Sequence, residues 1–205
     1  IAETGKPVIL SSGMSSYKEL DEAVQFLKDK NMEYAILQCT TAYPTKPKEY
    51  GLNVIEELKD RYKVRVGFSD HSAKIETCIA AAALGAEIFE FHGVFSRESF
   101  GPDATSSLEM DEIKILVESI RNIEEALRNP VDKSDNSKFN SLKDIFEKSL
   151  AVNKDLKAGH KIKFDDLEAK KPKSRGIDAS RFNEVLGKEI NKDLNQWDFL
   201  NKIDF

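Results

Sequence analysis

Two β-rich runs, at 64–68 and 87–91, each lead into a polar cluster that holds a histidine: His71 in VGFSDHS and His92 in FEFHGV. Residues 73–84 between them are rich in Ala and Ile and poor in helix breakers, long enough for a crossover helix that makes the two strands parallel neighbours. Both histidines then leave the same carboxyl edge of one sheet, where α/β proteins build their sites. Two neutral imidazoles converging there can hold a divalent ion and leave positions open for water and substrate. The plainer alternative is a hydrogen-bonded histidine closing each strand. The chain has only three histidines, and two of them ending adjacent strands favours a shared site.

The same pattern extends to both sides. The run KPVIL at 6–10 is followed by a polar turn and by Ser16 and Glu19 at capping-box spacing, so a helix to about Lys30 is expected, with Leu20, Ala23, Val24 and Leu27 inward. A strand at 34–39 ends in TTAYPTKP, where Pro44 and Pro47 prevent a regular ladder, and a helix at 53–62 turns Val54, Ile55 and Leu58 inward. Beyond His92 lie a loop and a helix at 111–128 with Ile113, Leu116, Ile120, Ile123 and Leu127 at helical spacing. Four consecutive βα units predict a parallel α/β sheet. A closed eight-stranded barrel takes at least ~200 residues, so residues 1–128 cannot form one. Residues 129–145 turn polar and read as a linker, and 146–205 carry the short strands and turns of a small β-rich domain. His160, beside Gly159, is expected to be a solvent-facing turn residue.

A net charge of −5 and a pI near 5.4 provide no general field for nucleic acid or anionic lipid. An anionic substrate would need local cations. No apolar run reaches the ~18 residues of a membrane span, and the first residues lack the features of a secretory signal. They also lack an initiator methionine, and the chain reads as cut from something longer. Cys39 and Cys78, both in apolar stretches, are expected to be buried free thiols in a reducing cytoplasm.

FSDHS, EFHGVF and FGPDATSSLEMDEIKILVESIRNIEEAL, with LSSGMSS and CTTAYPT upstream, resemble the sialic acid synthase family, the phosphoenolpyruvate-dependent synthases of nonulosonic acids. The resemblance covers nearly the whole chain, but only the latter part of the family's architecture. It implies strands five to eight of a (β/α)8 TIM barrel, followed in 146–205 by an antifreeze-like SAF (β-clip) domain, where KAGHKIKFDDL and LGKEI carry the likeness.

The implied reaction joins phosphoenolpyruvate to the aldehyde of an N-acylated amino sugar such as N-acetylmannosamine, giving a nine-carbon 2-keto acid and phosphate. His71 and His92 match the family's metal positions, with Mn2+ the usual ion and Mg2+ or Co2+ the alternatives. Asp103 matches a carboxylate that contacts the sugar, and Tyr43 another sugar contact. Ser11 or Ser12, Thr41 and Ser69 are the candidate phosphate donors, Thr41 standing where the best-known members carry asparagine. An arginine of the family's small domain reaches the partner subunit's site in a homodimer. Here its motif reads KKPKSRG, with Lys171 at the expected position and Arg175 a few residues on as the candidate. The lysines that pair with phosphoenolpyruvate belong to strands one to four, so the resemblance implies a cytoplasmic transferase that needs an N-terminal half-barrel and is silent without it. The rival readings are a non-catalytic remnant or interaction module, and an unrelated metal-dependent aldolase.

Overall fold

Strand β1 (Val8–Ser11) leads through a polar turn into α1 (Tyr17–Asp29), which starts where the capping signal predicts. Ser16 N–H donates to Glu19, whose own N–H is held by the Ser16 hydroxyl, so two of the helix's orphan donors are satisfied. The computed structural model describes residues 1–205, divided into two compact units, Ile1–Pro130 and Val131–Phe205.

In the first unit the chain continues through β2 (Tyr34–Cys39), α2 (Val54–Tyr62), β3 (Val66–Asp70), α3 (Ile75–Ala83), β4 (Phe89–Val94), β5 (Ser107–Glu109) and α4 (Met110–Arg128). All neighbouring strands are parallel, in the order β1-β2-β3-β4-β5. Four of these strands are expected from the sequence. The fifth, β5, has three residues, too few to carry a period. Strand β4 begins two residues later than its apolar run, although Glu87 and Ile88 already bond Val66 and Phe68 of β3, and it runs on to Val94. His92 therefore lies within the strand instead of after it.

One sheet face is covered by helices. Leu20 and Val24 of α1, Ile55 and Leu58 of α2, Cys78 and Ala81 of α3 and Leu116 of α4 meet Ile36, Val66 and Phe68 from the strands. Burying each large side chain contributes about 1.5–3 kcal/mol, and Leu58→Ala would cost about 2–5 kcal/mol. The opposite face carries Ile9, 58% exposed, together with Ser69, Glu90 and His92. Gly67 in β3 is required by close approach. A Cβ there would lie 2.3 Å from the Ile88 carbonyl and 2.4 Å from a Leu37 methyl.

The first α-helix of the second unit is α5 (Asn140–Phe146), which begins inside the stretch expected to be a linker and ends one residue beyond it. Its Leu142, Ile145 and Phe146 stay exposed. Strands β6 (Ser149–Val152) and β7 (Leu167–Lys170) pair antiparallel over a core of Leu150, Val152, Leu156, Ile162, Val185, Ile190, Leu194 and Leu200.

This unit is built on an internal duplication. NKDL occurs at 153–156 and again at 191–194, an offset of 38 residues, and the hydrogen bonds repeat with the letters. Leu156 and Leu194 exchange both backbone bonds. Asn153 donates to the Asp166 carbonyl as Asn191 does to that of Asp204, both at 2.9 Å. Asp155 accepts from Gln196 N–H, and Asp193 from Ala158 N–H. Such reciprocity is the mark of an approximate twofold axis between Leu156 and Leu194. It also accounts for the left-handed backbone of Trp197, φ 75°, whose counterpart is Gly159 at φ 89°. Trp197 N–H bonds Val152 as Gly159 N–H bonds Ile190, each at 2.7 Å, so the shared turn dictates the conformation.

His160 is not the solvent-facing turn residue expected. Its Nε2 lies 2.7 Å from the buried Asp166 carboxylate, which also pairs with Lys154 at 2.6 Å and accepts from Lys163 N–H at 2.9 Å. A partner six residues away in sequence, brought close by a tight turn, leaves no local pattern to read.

Candidate functional site

Strand β3 delivers His71 to the carboxyl edge immediately after Asp70, and β4 delivers His92. Their ring centres are 5.2 Å apart. The His71 ring is buried, and its Nδ1 lies 3.0 Å from the Thr40 carbonyl, which can only accept. Nδ1 therefore carries the proton, and Nε2 of the neutral ring keeps its lone pair for a ligand. His92 engages no hydrogen bond. Tyr43 stacks on His71 with 4.3 Å between ring centres and meets His92 edge-on at 5.8 Å, while half of its own surface stays exposed. The loop carrying Tyr43 is fixed by Thr45, whose N–H donates to the His71 carbonyl and whose hydroxyl donates to Ala42.

An imidazole nitrogen sits about 2.1 Å from its ion, placing each ring centre roughly 3.2 Å away, and two rings about 4.5–5.3 Å apart for angles from square to tetrahedral. The observed 5.2 Å is compatible with one shared ion. No cluster of three or more His, Cys, Asp or Glu with metal-binding geometry occurs in the chain. Any ion held here would therefore need water or substrate oxygens in its remaining positions.

Of the hydroxyl candidates, Ser12 is already occupied. It donates to Gln38 at 3.3 Å and accepts from Cys39 N–H at 3.1 Å. Ser11 is exposed, accepts only a long bond from Gly13 N–H, and keeps its proton. Ser11, Cys39 and Thr41 crowd around Gly13, where a Cβ would lie 2.6 Å from the Thr41 hydroxyl. Ser12, Cys39 and Thr41 line a cavity of about 510 Å3 that no Lys or Arg borders. Cys39 is half-buried at this edge, not fully buried as expected, whereas burial pushes the Cys78 thiol up to about 12 and makes it inert at neutral pH.

Ser69 donates to Glu90 at 2.7 Å. Glu90 is the residue that the sequence reading missed. It lies two positions before His92 on a strand, hence on the same face, and that alternation was the available signal. Asp70 faces the other way, bonded to Ser72 and Thr77, and burial raises its carboxyl above the usual carboxylate range.

Asp103 sits on the loop between β4 and β5. Its backbone carbonyl accepts from the Ser107 hydroxyl at 2.7 Å and from Ser106 N–H, while its exposed carboxylate has no partner. The structure thus joins Tyr43, His71 and His92 in one cluster and Ser12 and Thr41 around one cavity, with Ser11 beside Thr41 at Gly13, and leaves the Asp103 carboxylate free. Arg175 lies in the second unit, exposed and without a hydrogen bond or ion pair.

With this geometry in place, the comparison with known sequences is decisive: the profile of the NeuB family matches residues 1–132. The chain belongs to the NeuB family. It is 37% identical over 199 residues to the N,N'-diacetyllegionaminic acid synthase of Campylobacter jejuni, an alignment covering 96% of this chain and 59% of that protein. It is 34% identical over 207 residues to a pseudaminic acid synthase of the same species, covering 100% and 59%. The N-acetylneuraminate-9-phosphate synthase of Homo sapiens is 30% identical over 190 residues, covering 92% and 53%. The chain therefore spans 53–59% of the length of these NeuB-type relatives.

Among solved structures, the sialic acid synthetase of Leptospira borgpetersenii aligns with a TM-score of 0.63 and 34% identity over 69% of this chain and 50% of that one. The spore coat polysaccharide biosynthesis protein of Bacillus subtilis aligns over 99% of this chain and 62% of its own, with a TM-score of 0.60 and 23% identity, a likeness of fold. The five-stranded parallel α/β sheet is thus the NeuB-type arrangement. No helix is long and apolar enough to cross a membrane.

Proposed function

We propose that this chain forms the carboxyl-terminal part of a phosphoenolpyruvate-dependent nonulosonic acid synthase, condensing phosphoenolpyruvate with an N-acylated amino sugar to a nine-carbon 2-keto acid and phosphate. The observation that carries the reading is the cluster of Tyr43, His71 and His92 at the carboxyl edge of a parallel sheet in a NeuB-family chain. In this reading β1 to β4 are strands five to eight of a (β/α)8 barrel, β5 is a short addition beside the last, and 146–205 are an antifreeze-like SAF domain.

His71 and His92 would hold a divalent ion, Mn2+ ahead of Mg2+ or Co2+. When bound, such an ion supplies Lewis-acid stabilisation of negative charge at the sugar aldehyde. Tyr43 packs on the sugar and donates from its phenol. Asp103, unpartnered, accepts from sugar hydroxyls. Ser11 and Thr41 donate to the phosphate ahead of Ser12 and Ser69, whose protons are committed to Gln38 and Glu90. Arg175 is the candidate contact to the N-acyl group of a sugar held by the partner in a homodimer. The cavity beside Ser12 and Thr41 is bordered by no cation, and neutral donors bind a trianion about half as strongly as charged ones. A polypeptide supplying strands one to four would bring that charge.

The test is phosphate release from phosphoenolpyruvate with Mn2+ and an amino sugar, by this chain alone and co-expressed with the N-terminal half of a close relative. Turnover only in the mixture, lowered at least about a hundredfold by His92→Ala, is expected. Turnover by the chain alone would contradict the need for a missing half. No turnover in any mixture would favour the non-catalytic interaction module, the reading that the lack of a cationic clamp otherwise supports.

A further inference from the structure

The loop at 95–103 has almost no apolar anchor. Phe95 is 91% exposed, Phe100 is fully exposed, and residues 98–103 are exposed without exception. What fixes this loop is polar and converges on Arg97. Its backbone N–H donates to the Glu109 carboxylate at 2.8 Å, its Nε donates to the Ser107 carbonyl at 2.9 Å, and its Nη2 pairs with the Glu112 carboxylate. The same Nη2 lies 3.5 Å from the carbonyl of Ala73, two residues after His71. Glu112 also caps α4 by accepting from Glu109 N–H at 2.8 Å, so the guanidinium is tied to a fixed helix start. Ser107, held by Arg97 through its carbonyl, in turn holds the Asp103 carbonyl through its hydroxyl.

We propose that Arg97 is a positioning residue: one guanidinium spans the start of α4, β5 and the turn after His71, and so fixes Asp103 relative to the histidine pair. The inference rests on the function proposed above in giving Asp103 a sugar to meet. The tether itself rests only on the observed bonds. A planar fork with several donors is what lets one side chain reach three elements, and lysine cannot reproduce it.

Two measurements separate the tether from the function. In this chain, Arg97→Ala should speed amide exchange at Ser99 and Ser106, whose N–H groups are bonded to the Ser96 and Asp103 carbonyls, by about tenfold, as loss of roughly one charge-assisted bond predicts, while Mn2+ affinity stays within about twofold. Arg97→Lys should be nearly as loose. In the mixture with the N-terminal half, Arg97→Ala should raise the KM for the amino sugar and leave the KM for phosphoenolpyruvate unchanged, as Asp103→Ala should also do. Unchanged exchange at Ser99 and Ser106 would overturn the tether. A parallel rise in both KM values would overturn its role toward Asp103 and indicate general loosening. If the unsubstituted mixture shows no turnover, the proposed function fails and the exchange measurement alone decides on the tether.

Discussion

In the unit Val131–Phe205 the imidazole of His160 is bonded to Asp166, whereas in Ile1–Pro130 His71 keeps one ring nitrogen free and His92 keeps both. The same contrast holds for carboxylates. Asp166 is met by Lys154, His160 and Lys163 N–H, and Asp204 by Asn201 N–H and, out of line for a hydrogen bond, by the Lys192 ammonium at 2.7 Å. Asp103 has no partner. A buried charge is tolerated when its bonds are complete, and such groups stabilise a fold and offer nothing to a ligand. Polar groups on a sheet's carboxyl edge with capacity left over are where a ligand can bind. The network around His160 and Asp166 is thus closed, and the one at His71, His92 and Asp103 is open.

The contrast would break first at Asp166. Burial pushes its carboxyl up, but Lys154, His160 and Lys163 N–H outweigh that and hold it at about 2. A carboxyl lowered on folding stabilises the fold above its unfolded value near 3.8, and that stability disappears as the pH falls toward 2. Asp166→Asn should therefore destabilise the second unit at pH 7 by about 2 kcal/mol, read from amide exchange in β6 and β7. At pH 2 the variant and the parent should nearly coincide. A difference independent of pH would mean that the network is not what holds the unit.

A smaller effect would sharpen the duplication. Gly159→Ala places a side chain at φ 89° and should cost about 1 kcal/mol. No cost would show that the turn relaxes freely, and Trp197 at the matching position would then need another explanation.

Much of the first unit was legible because local rules agreed with the global fold. The Ser16–Glu19 capping box, the strand at 34–39 and the helix stripe at 113–127 each specify the observed element. The histidine pair was legible through topology, since strand, crossover and strand leave few alternatives. Glu90 was hidden by attention to strand ends, and β5 by its length. In the second unit the repeated NKDL was present in the letters but short, and its meaning appears only in the bonds exchanged between Leu156 and Leu194. His160 was misread because Asp166 reaches it through a turn that no periodicity announces.

The most direct test of the central claim, that the open pair His71 and His92 is the functional site and the closed His160 is not, is a titration of this chain with Mn2+. One ion per chain is predicted, lost in the His71→Ala, His92→Ala double variant and unchanged in His160→Ala. Binding that survives the double variant, or that disappears with His160→Ala, would contradict the account.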